Sequence, residues 1–441
     1  MTPSKKYFRL SVFLLLTFVV LSSCGTKSSK NSNTPDKATP EAMRVLVSSD
    51  IGGTDPDDFQ SMIHLFLYAD TLDIEGLISS PFGFGGKKNI LDVIDQYEKD
   101  YPNLVSYSDK YPTADSLRSI TKQGATEVAN YTGVGNSTEG SEWIIKCARR
   151  DDPRPLNLLV WGGIEDLAQA LHDAPDILPK LRVYYIGGPN KKWTPDAYQY
   201  IADNHPNLWI IESNATYRGW FTGGDQSAEW SNTGFPEKYI SGQGAMANFF
   251  MTQLDGTIKM GDTPSLAWLL KGDADDPSKP GWGGQYVRAW DRPYYLYSKM
   301  PSASDSIQEF SILEIALSVE NDLPQLPEAK LLVENQALAG TFMEDGRVRF
   351  RFSPKSDKIF QFKVESNVAE LNGKSGEVTV FIPPPHLAEQ ASEKFPNWWT
   401  DDPNPEYMEG KHLGAKTVSK WRKEYLTDFA QRIQRCASPA N

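Results

Sequence analysis

Val45-Leu46-Val47-Ser48-Ser49-Asp50-Ile51-Gly52-Gly53-Thr54-Asp55-Pro56-Asp57-Asp58 runs from an apolar stretch into a loop with four carboxylates in nine residues. The run at 45–47 is short and uninterrupted, as strands covered on both faces are. After the loop, Met62, Ile63, Phe66 and Leu67 recur at helical spacing, which predicts a helix over 59–68. Asp50, Asp55, Asp57 and Asp58 cannot all ionise cheaply at close range. A hard divalent cation would resolve that repulsion, because calcium and magnesium take carboxylate and carbonyl oxygens. Gly52 and Gly53 let the backbone approach closely or turn through positive φ. The plainer alternative is a helix N-terminus that Asp57 or Asp58 simply caps. The whole loop, set at a strand's carboxyl end, favours a metal.

Outward from this loop, the same alternation continues to about residue 289. Strand-like runs at 74–78, 158–161, 183–186 and 208–211 end in loops rich in Gly, Ser, Asn or acid, and helical stretches start near Ile90 and Glu165. This predicts an α/β domain with an open, mostly parallel sheet and helices on both faces. Ligands of such sheets bind beyond the strands' carboxyl ends. Asn190, Glu212 and Asn214 follow strand ends directly, so each is a candidate substrate contact as well as a candidate turn residue or cap. Lys279-Pro280-Gly281-Trp282-Gly283-Gly284 either sets Trp282 over the site as an aromatic platform or is a Gly-rich turn. Beyond residue 301 the β-rich runs 310–317, 347–352, 359–364 and 378–382 predict a small β-sandwich-like domain. Residues 383–414 read as irregular, with Trp398-Trp399 either a carbohydrate-stacking loop or an interdomain plug. A last helix at 417–435 carries Trp421, Tyr425, Leu426, Phe429 and Ile433 on one side, and is expected to pack back on the first domain.

At the other end, Lys5, Lys6 and Arg9 precede an apolar run, 10–21, too short for a permanent membrane span. Leu21-Ser22-Ser23-Cys24 resembles a bacterial lipobox, in which Cys24 would be acylated. The expected organisation is a signal peptide at 1–23, a polar tether at 24–41, the α/β domain at 42–300, the β-sandwich-like domain at 301–385, and an aromatic loop with the last helix at 386–441. An exported protein, lipid-anchored in a bacterial cell envelope on its periplasmic or outer side, follows from this. Net charge is −12, and −15 without Lys5, Lys6 and Arg9, which argues against a nucleic acid polymer as partner. Cys147 and Cys436 either pair in an oxidising compartment or stand as two separate buried thiols. Twelve Trp and nineteen Tyr suit sugar stacking or ordinary packing alike.

The acidic loop, with its strand and helix, resembles the metal-binding motif of nucleoside hydrolases, Asp-x-Asp-Pro-Gly-x-Asp-Asp. The variant Asp-Ile-Gly-Gly-Thr-Asp-Pro-Asp-Asp is similar to that of an exported subgroup often described as cellulose-binding proteins of polysaccharide-degrading bacteria. Trp161-Gly162-Gly163-Ile164-Glu165-Asp166-Leu167-Ala168 is similar to the family's Gly-Pro-Leu-Thr-Asn-Leu-Ala segment. Gly261-Asp262-Thr263-Pro264-Ser265-Leu266-Ala267 is similar to its late His-Asp-Pro-Leu-Ala segment. The resemblance covers roughly residues 44–290 and implies the nucleoside-hydrolase-like fold. It also implies calcium, with magnesium as the alternative, held by Asp58, Asp262, the Glu165 carbonyl and either Asp50 or Asp55. Asp50 and Asp57 would be catalytic, water attacking an anomeric carbon through an oxocarbenium-like transition state. Gly261 stands where the family has a His that helps protonate the leaving base, and the family's Glu-x-Asn sugar-binding segment has no clean match. Two main functions follow: a metal-dependent glycosyl hydrolase acting on an N- or O-linked sugar derivative, or a non-catalytic carbohydrate-binding lipoprotein. A surface protein with a purely structural metal is the third. The implied partner is a small sugar derivative or glycan fragment, and a homodimer is implied by the resemblance alone.

Overall fold

β1 (Met43–Ser49) forms around Val45, Leu46 and Val47, all fully buried. Val45 and Val47 enter the core on one side of the sheet and Leu46 on the other, as strand alternation requires. The computed structural model describes residues 42–81, 86–319 and 325–437. The expected signal peptide, Cys24 and the tether lie outside the described residues, as does 82–85 of the loop after the second strand. The described residues from 42 onward belong to one compact unit. Among the described residues, no helix is long and apolar enough to cross a membrane.

β2 (Leu72–Ser79), β3 (Thr121–Gln123), β4 (Leu156–Val160), β5 (Leu181–Ile186) and β6 (Ile210–Ser213) lie parallel to β1 in the order β3-β2-β1-β4-β5-β6. Helices Asp57–Leu67, Lys87–Leu104 and Thr263–Leu270 pack on one face, and Glu139–Ala148, Glu165–Asp173 and Pro195–Asn204 on the other. The winding reverses between β1 and β4, with β2 and β3 to one side of β1 and β4 to β6 on the other. A crevice opens beyond the carboxyl ends at such a switch point. Asp50 is the residue directly after β1.

Helix Asp57–Leu67 is buried at every position but Phe59, so the chain buries polar residues along with the apolar stripe. His64 is one of them. Its ring packs against Tyr68, Trp220 and Phe429, and neither ring nitrogen has a partner. Burial, and then Arg432, pushes its pKa down to about 3. The unfolded chain therefore binds a proton below about pH 6.5 that the folded chain refuses until about pH 3, and stability falls as pH drops through that window. The loss at pH 5 is about 2 kcal/mol. His64→Leu should flatten this part of the curve; an unchanged difference in denaturant midpoint between pH 7 and pH 5 would overturn the assignment.

β7 (Tyr286–Arg288) leads into two small sheets. One holds β8 (Tyr294–Tyr297), β10 (Ile312–Ser318), β13 (Thr341–Phe342) and β14 (Arg347–Phe352). The other holds β9 (Ser306–Gln308), β11 (Ala329–Val333), β12 (Gln336–Ala339), β15 (Ile359–Ser366) and β16 (Ser375–Phe381). Alternate residues of both, among them Leu313, Ile315, Phe350, Phe352, Phe360 and Phe362, meet in one shared core.

The stretch expected to be irregular contains β17 (Trp398–Asp401), which returns to the large sheet. It inserts between β6, to which it is parallel, and β7, to which it is antiparallel. Trp398 is neither an exposed stacking loop nor a plug between domains, because it is fully buried against Tyr198 and Phe395. The last helix is shorter than its pattern, Arg422–Ile433, with a separate turn at Lys416–Ser419 before it. Tyr425, Leu426, Phe429 and Ile433 enter the core that Asp57–Leu67 also fills. Cys147 and Cys436 are both free and lie in the cores on opposite sides of the sheet, so they do not pair.

Candidate metal centre

The acidic loop is a tight turn. Gly53 N donates to Asp50 O at 2.9 Å, and Ile51 N to Ser49 Oγ at 3.1 Å. Gly52 has φ +86° and sits against the Asn89 side chain, which donates to Ile51 O at 3.1 Å; a Cβ would collide there and strain the backbone. The turn delivers the chain to Pro56 and the helix beginning at Asp57.

Asp57 and Asp58 occupy the first turn of that helix, but capping is not what their side chains do. Asp58 Oδ1 accepts from Ser49 Oγ at 2.5 Å, and Asp57 Oδ2 accepts from Gly261 N at 2.6 Å. Asp262 stands at the N-terminus of helix Thr263–Leu270. Two helix starts thus point at one place, where their partial positive charge favours carboxylates. Asp57, Asp58 and Asp262 each offer one oxygen, and these lie within 4.8 Å of one another. Asp262 Oδ2 is buried without a hydrogen-bond partner.

Asp50 joins this group through its contact with the Asp58 carboxyl. Burial, followed by the charge of Asp57, pushes Asp50 up to about 7. Asp57 is also pushed up to about 7, by burial and then Asp58. Asp58 and Asp262 are held well above the carboxylate range, first by burial and then by their acidic neighbours. Such a group is unfavourable as anions alone, and a divalent cation reverses the sign of each interaction. An all-oxygen donor set, a partnerless buried oxygen and mutual repulsion together fit a hard metal ion.

The group lies in a pocket of ≈ 340 Å³ at the switch point. Of the two early-ligand candidates, Asp50 is inside the acidic group, whereas Asp55 turns out to the rim and pairs with Lys259. Asn190 also lines the pocket, its Nδ2 donating to Trp161 O and Ile186 O at 2.9 Å. Glu165 opens its helix; its buried carboxyl accepts from Ala129 N at 3.3 Å and lines a different pocket, and it is the backbone carbonyl, not this carboxyl, that the resemblance implies as a ligand. Two expectations are corrected. Glu212 and Asn214 sit behind the pocket, where Glu212 binds Lys191, Arg292 and Asn214 in the interior. Trp282 is tied by its own backbone to Lys271 O at 2.9 Å and packs into the core.

Sequence reasoning missed Trp193, Tyr217, Arg218, Lys259 and Lys192, and also Asn335 and Lys355, which reach the pocket from the β-rich region. Those last two carry no local signal, since only the docking of the small sheets brings them there.

The glycine at the expected histidine position has a steric reason. A Cβ on residue 261 would lie 2.6 Å from Asp57 Oδ2, so any side chain there displaces the carboxylate. Gly261→Ala should change stability by no more than about 0.5 kcal/mol, because a carboxylate tip can swing aside. It should weaken calcium affinity by roughly 10-fold or more, the size expected when a ligand's orienting partner is disturbed. An unaltered calcium titration would show that this contact does not orient Asp57.

A family model described as "Cellulose-binding Sde182, nucleoside hydrolase-like domain" matches residues 44–286. Similar solved structures include a nucleoside hydrolase-related hypothetical protein from Saccharophagus degradans that is associated with carbohydrate metabolism, at 18% identity and a TM-score of 0.47, covering 78% of this chain and 100% of that one. The plant nucleoside hydrolase PpNRh1 is similar at 11% identity and TM-score 0.35, covering 80% of this chain and 98% of its own. An inosine-uridine preferring nucleoside hydrolase from Bacillus anthracis is similar at 12% identity and TM-score 0.34, covering 80% of this chain and 99% of its own. No curated protein matches the chain.

Proposed function

The chain belongs to the cellulose-binding Sde182, nucleoside hydrolase-like domain family, and from that premise we propose that it is a metal-dependent glycosyl hydrolase cleaving an N- or O-glycosidic bond of a sugar derivative. The observation that carries this reading is the convergence of one carboxylate oxygen each from Asp57, Asp58 and Asp262, the last with a buried Oδ2 that has no hydrogen-bond partner. Those three residues would hold the ion, for which calcium suits the oxygen donors. When bound, the ion supplies Lewis acidity that makes water a better nucleophile at neutral pH.

The chain's own groups do the rest. Asp50 lines the same pocket without being one of the three converging ligands, and is placed to take a proton from an attacking water. Gly261 N fixes Asp57 through the 2.6 Å bond, so that this carboxylate faces the pocket without reorganising. Positive charge developing at an anomeric carbon is stabilised by these fixed anions. Trp161, Trp193 and Tyr217 wall the pocket.

Binding without turnover is the second reading. Among the described residues no histidine lines the pocket, so leaving-group protonation has no imidazole to use. The family name and the related carbohydrate-associated structure favour a glycan partner for either reading. Calcium added during thermal unfolding should raise the midpoint by mass action. Nucleosides and p-nitrophenyl glycosides should be turned over by the parent and not by Asp58→Asn. No midpoint shift at millimolar calcium sinks the metal, and sugar binding without turnover, unchanged in Asp58→Asn, replaces the hydrolase with a binding protein. Export and acylation at Cys24 are part of the proposal, and intact-mass measurement of membrane-extracted protein against Cys24→Ser tests them.

A further inference from the structure

The pocket that holds the aspartates has a second, oppositely charged wall. Lys192, Arg218, Lys259 and Lys355 line it together with the acids. Only Lys259 is committed to the carboxylates, pairing with Asp55 and lying 3.4 Å from Asp57. Lys192 turns away from them, to Glu334 at 3.2 Å and Asn335 Oδ1 at 3.1 Å, and Glu334 is shared with Lys358. Arg218 lies over the Tyr217 ring at 5.2 Å. Among the described residues, the side chains of Arg218 and Lys355 make no ion pair or hydrogen bond.

These charges are close enough to act on one another. Burial first, and then Lys192 and Arg218, push the Lys355 ammonium below the usual lysine range. In a chain of net charge −12, three neighbouring cations of which only Lys192 is paired, with Glu334, stand out as a local excess. Balancing the aspartates does not account for it, because none of the three pairs with an aspartate of the pocket. The fold also spends backbone strain here. Glu334, which steadies Lys192, sits at φ +51° in the two-residue turn between β11 and β12 that also carries Asn335 to the pocket.

We propose that the pocket takes an anionic sugar, whose phosphate, sulfate or carboxylate is received by Lys192, Arg218 and Lys355 while its glycosidic carbon faces Asp50, Asp57, Asp58 and Asp262. The second half of this assignment rests on the hydrolase reading above; the first half does not. Arg218 offers a planar fork matched to the oxygens of any of the three anions, and Lys192 and Lys355 add point charges. A substrate with separate ends, one charged and one scissile, would be oriented by the two walls before any chemistry.

Calorimetric titration of calcium-saturated full chain with three matched pairs tests this: ribose 5-phosphate against ribose, glucose 6-sulfate against glucose, and galacturonate against galactose. At least one anionic member should bind about 10-fold or more tightly than its neutral partner, and the pair that does so identifies the anion. That ratio should fall as salt rises. It should collapse toward one in Arg218→Ala and in Lys355→Ala, with the calcium-induced rise in melting temperature unchanged in both. Equal binding within all three pairs, no binding of any of the six, or selectivity that survives both substitutions overturns the proposal. Anion selectivity with no calcium response supports it and removes the hydrolase reading instead.

Discussion

Asp262→Asn should melt at a higher temperature than the parent in chelator, and show no further rise when calcium is added. In the metal-free fold the Asp262 carboxyl is held well above its usual range by burial and by Asp58, Asp57 and Asp50, so ionising it opposes folding. A neutral amide removes that cost and still fills the space. The same change takes away an oxygen that converges with Asp57 and Asp58, so turnover on any substrate found should drop by roughly 10²-fold or more, as expected when a preorganised charged group is lost. Stability and function thus move in opposite directions in one variant. A calcium response retained by Asp262→Asn, or a lower melting temperature in chelator, would remove Asp262 from the site.

Glu212→Leu should instead cost the fold about 3–5 kcal/mol, the usual range for breaking a buried ion pair from one side. Burial pushes the Glu212 carboxyl up, but Lys191 and then Arg292 outweigh it and hold it below the usual range. Removing it strands two cations, with Lys191 1% and Arg292 7% exposed, and deprives Tyr198 and Asn214 of an acceptor. Lys191→Met in the same chain should recover part of the loss, since an apolar pair has no uncompensated charge. Urea midpoints measure both. A Glu212→Leu protein within about 1 kcal/mol of the parent would mean that the network is relaxed by water.

Much of this site was legible in the chain because its physics is local. Four acids after a β-forming run announce both a strand end and a charge problem, and Asp262, remote in sequence, entered through its likeness to a known motif. Asp50 and Asp55 could not be separated that way, since a turn with Gly52 at positive φ decides which carboxyl points inward. Glu212 shows the opposite failure: its place just after a strand end suited a ligand, but the side chain faces buried cations that no nearby residue announced. Lys355 and Asn335 were invisible for a third reason, being surface-loop residues until two sheets dock. Trp398-Trp399-Thr400 is a good strand sequence, yet the proline- and acid-rich context around it hid the pairing partners, which lie about 110 and 190 residues earlier.

That late strand bears on how the protein is made. β6 and β7 are separated by β17, so the large sheet cannot be completed until residues 398–401 are present to pair. Until then β6 offers an open edge, the kind of surface that templates aggregation. Pairing over such sequence distances is slow, because loop closure precedes its reward. The segment that matches the family model, 44–286, is therefore not expected to be a self-sufficient folding unit. Chains truncated before residue 401 should aggregate on refolding in a way that the complete chain does not.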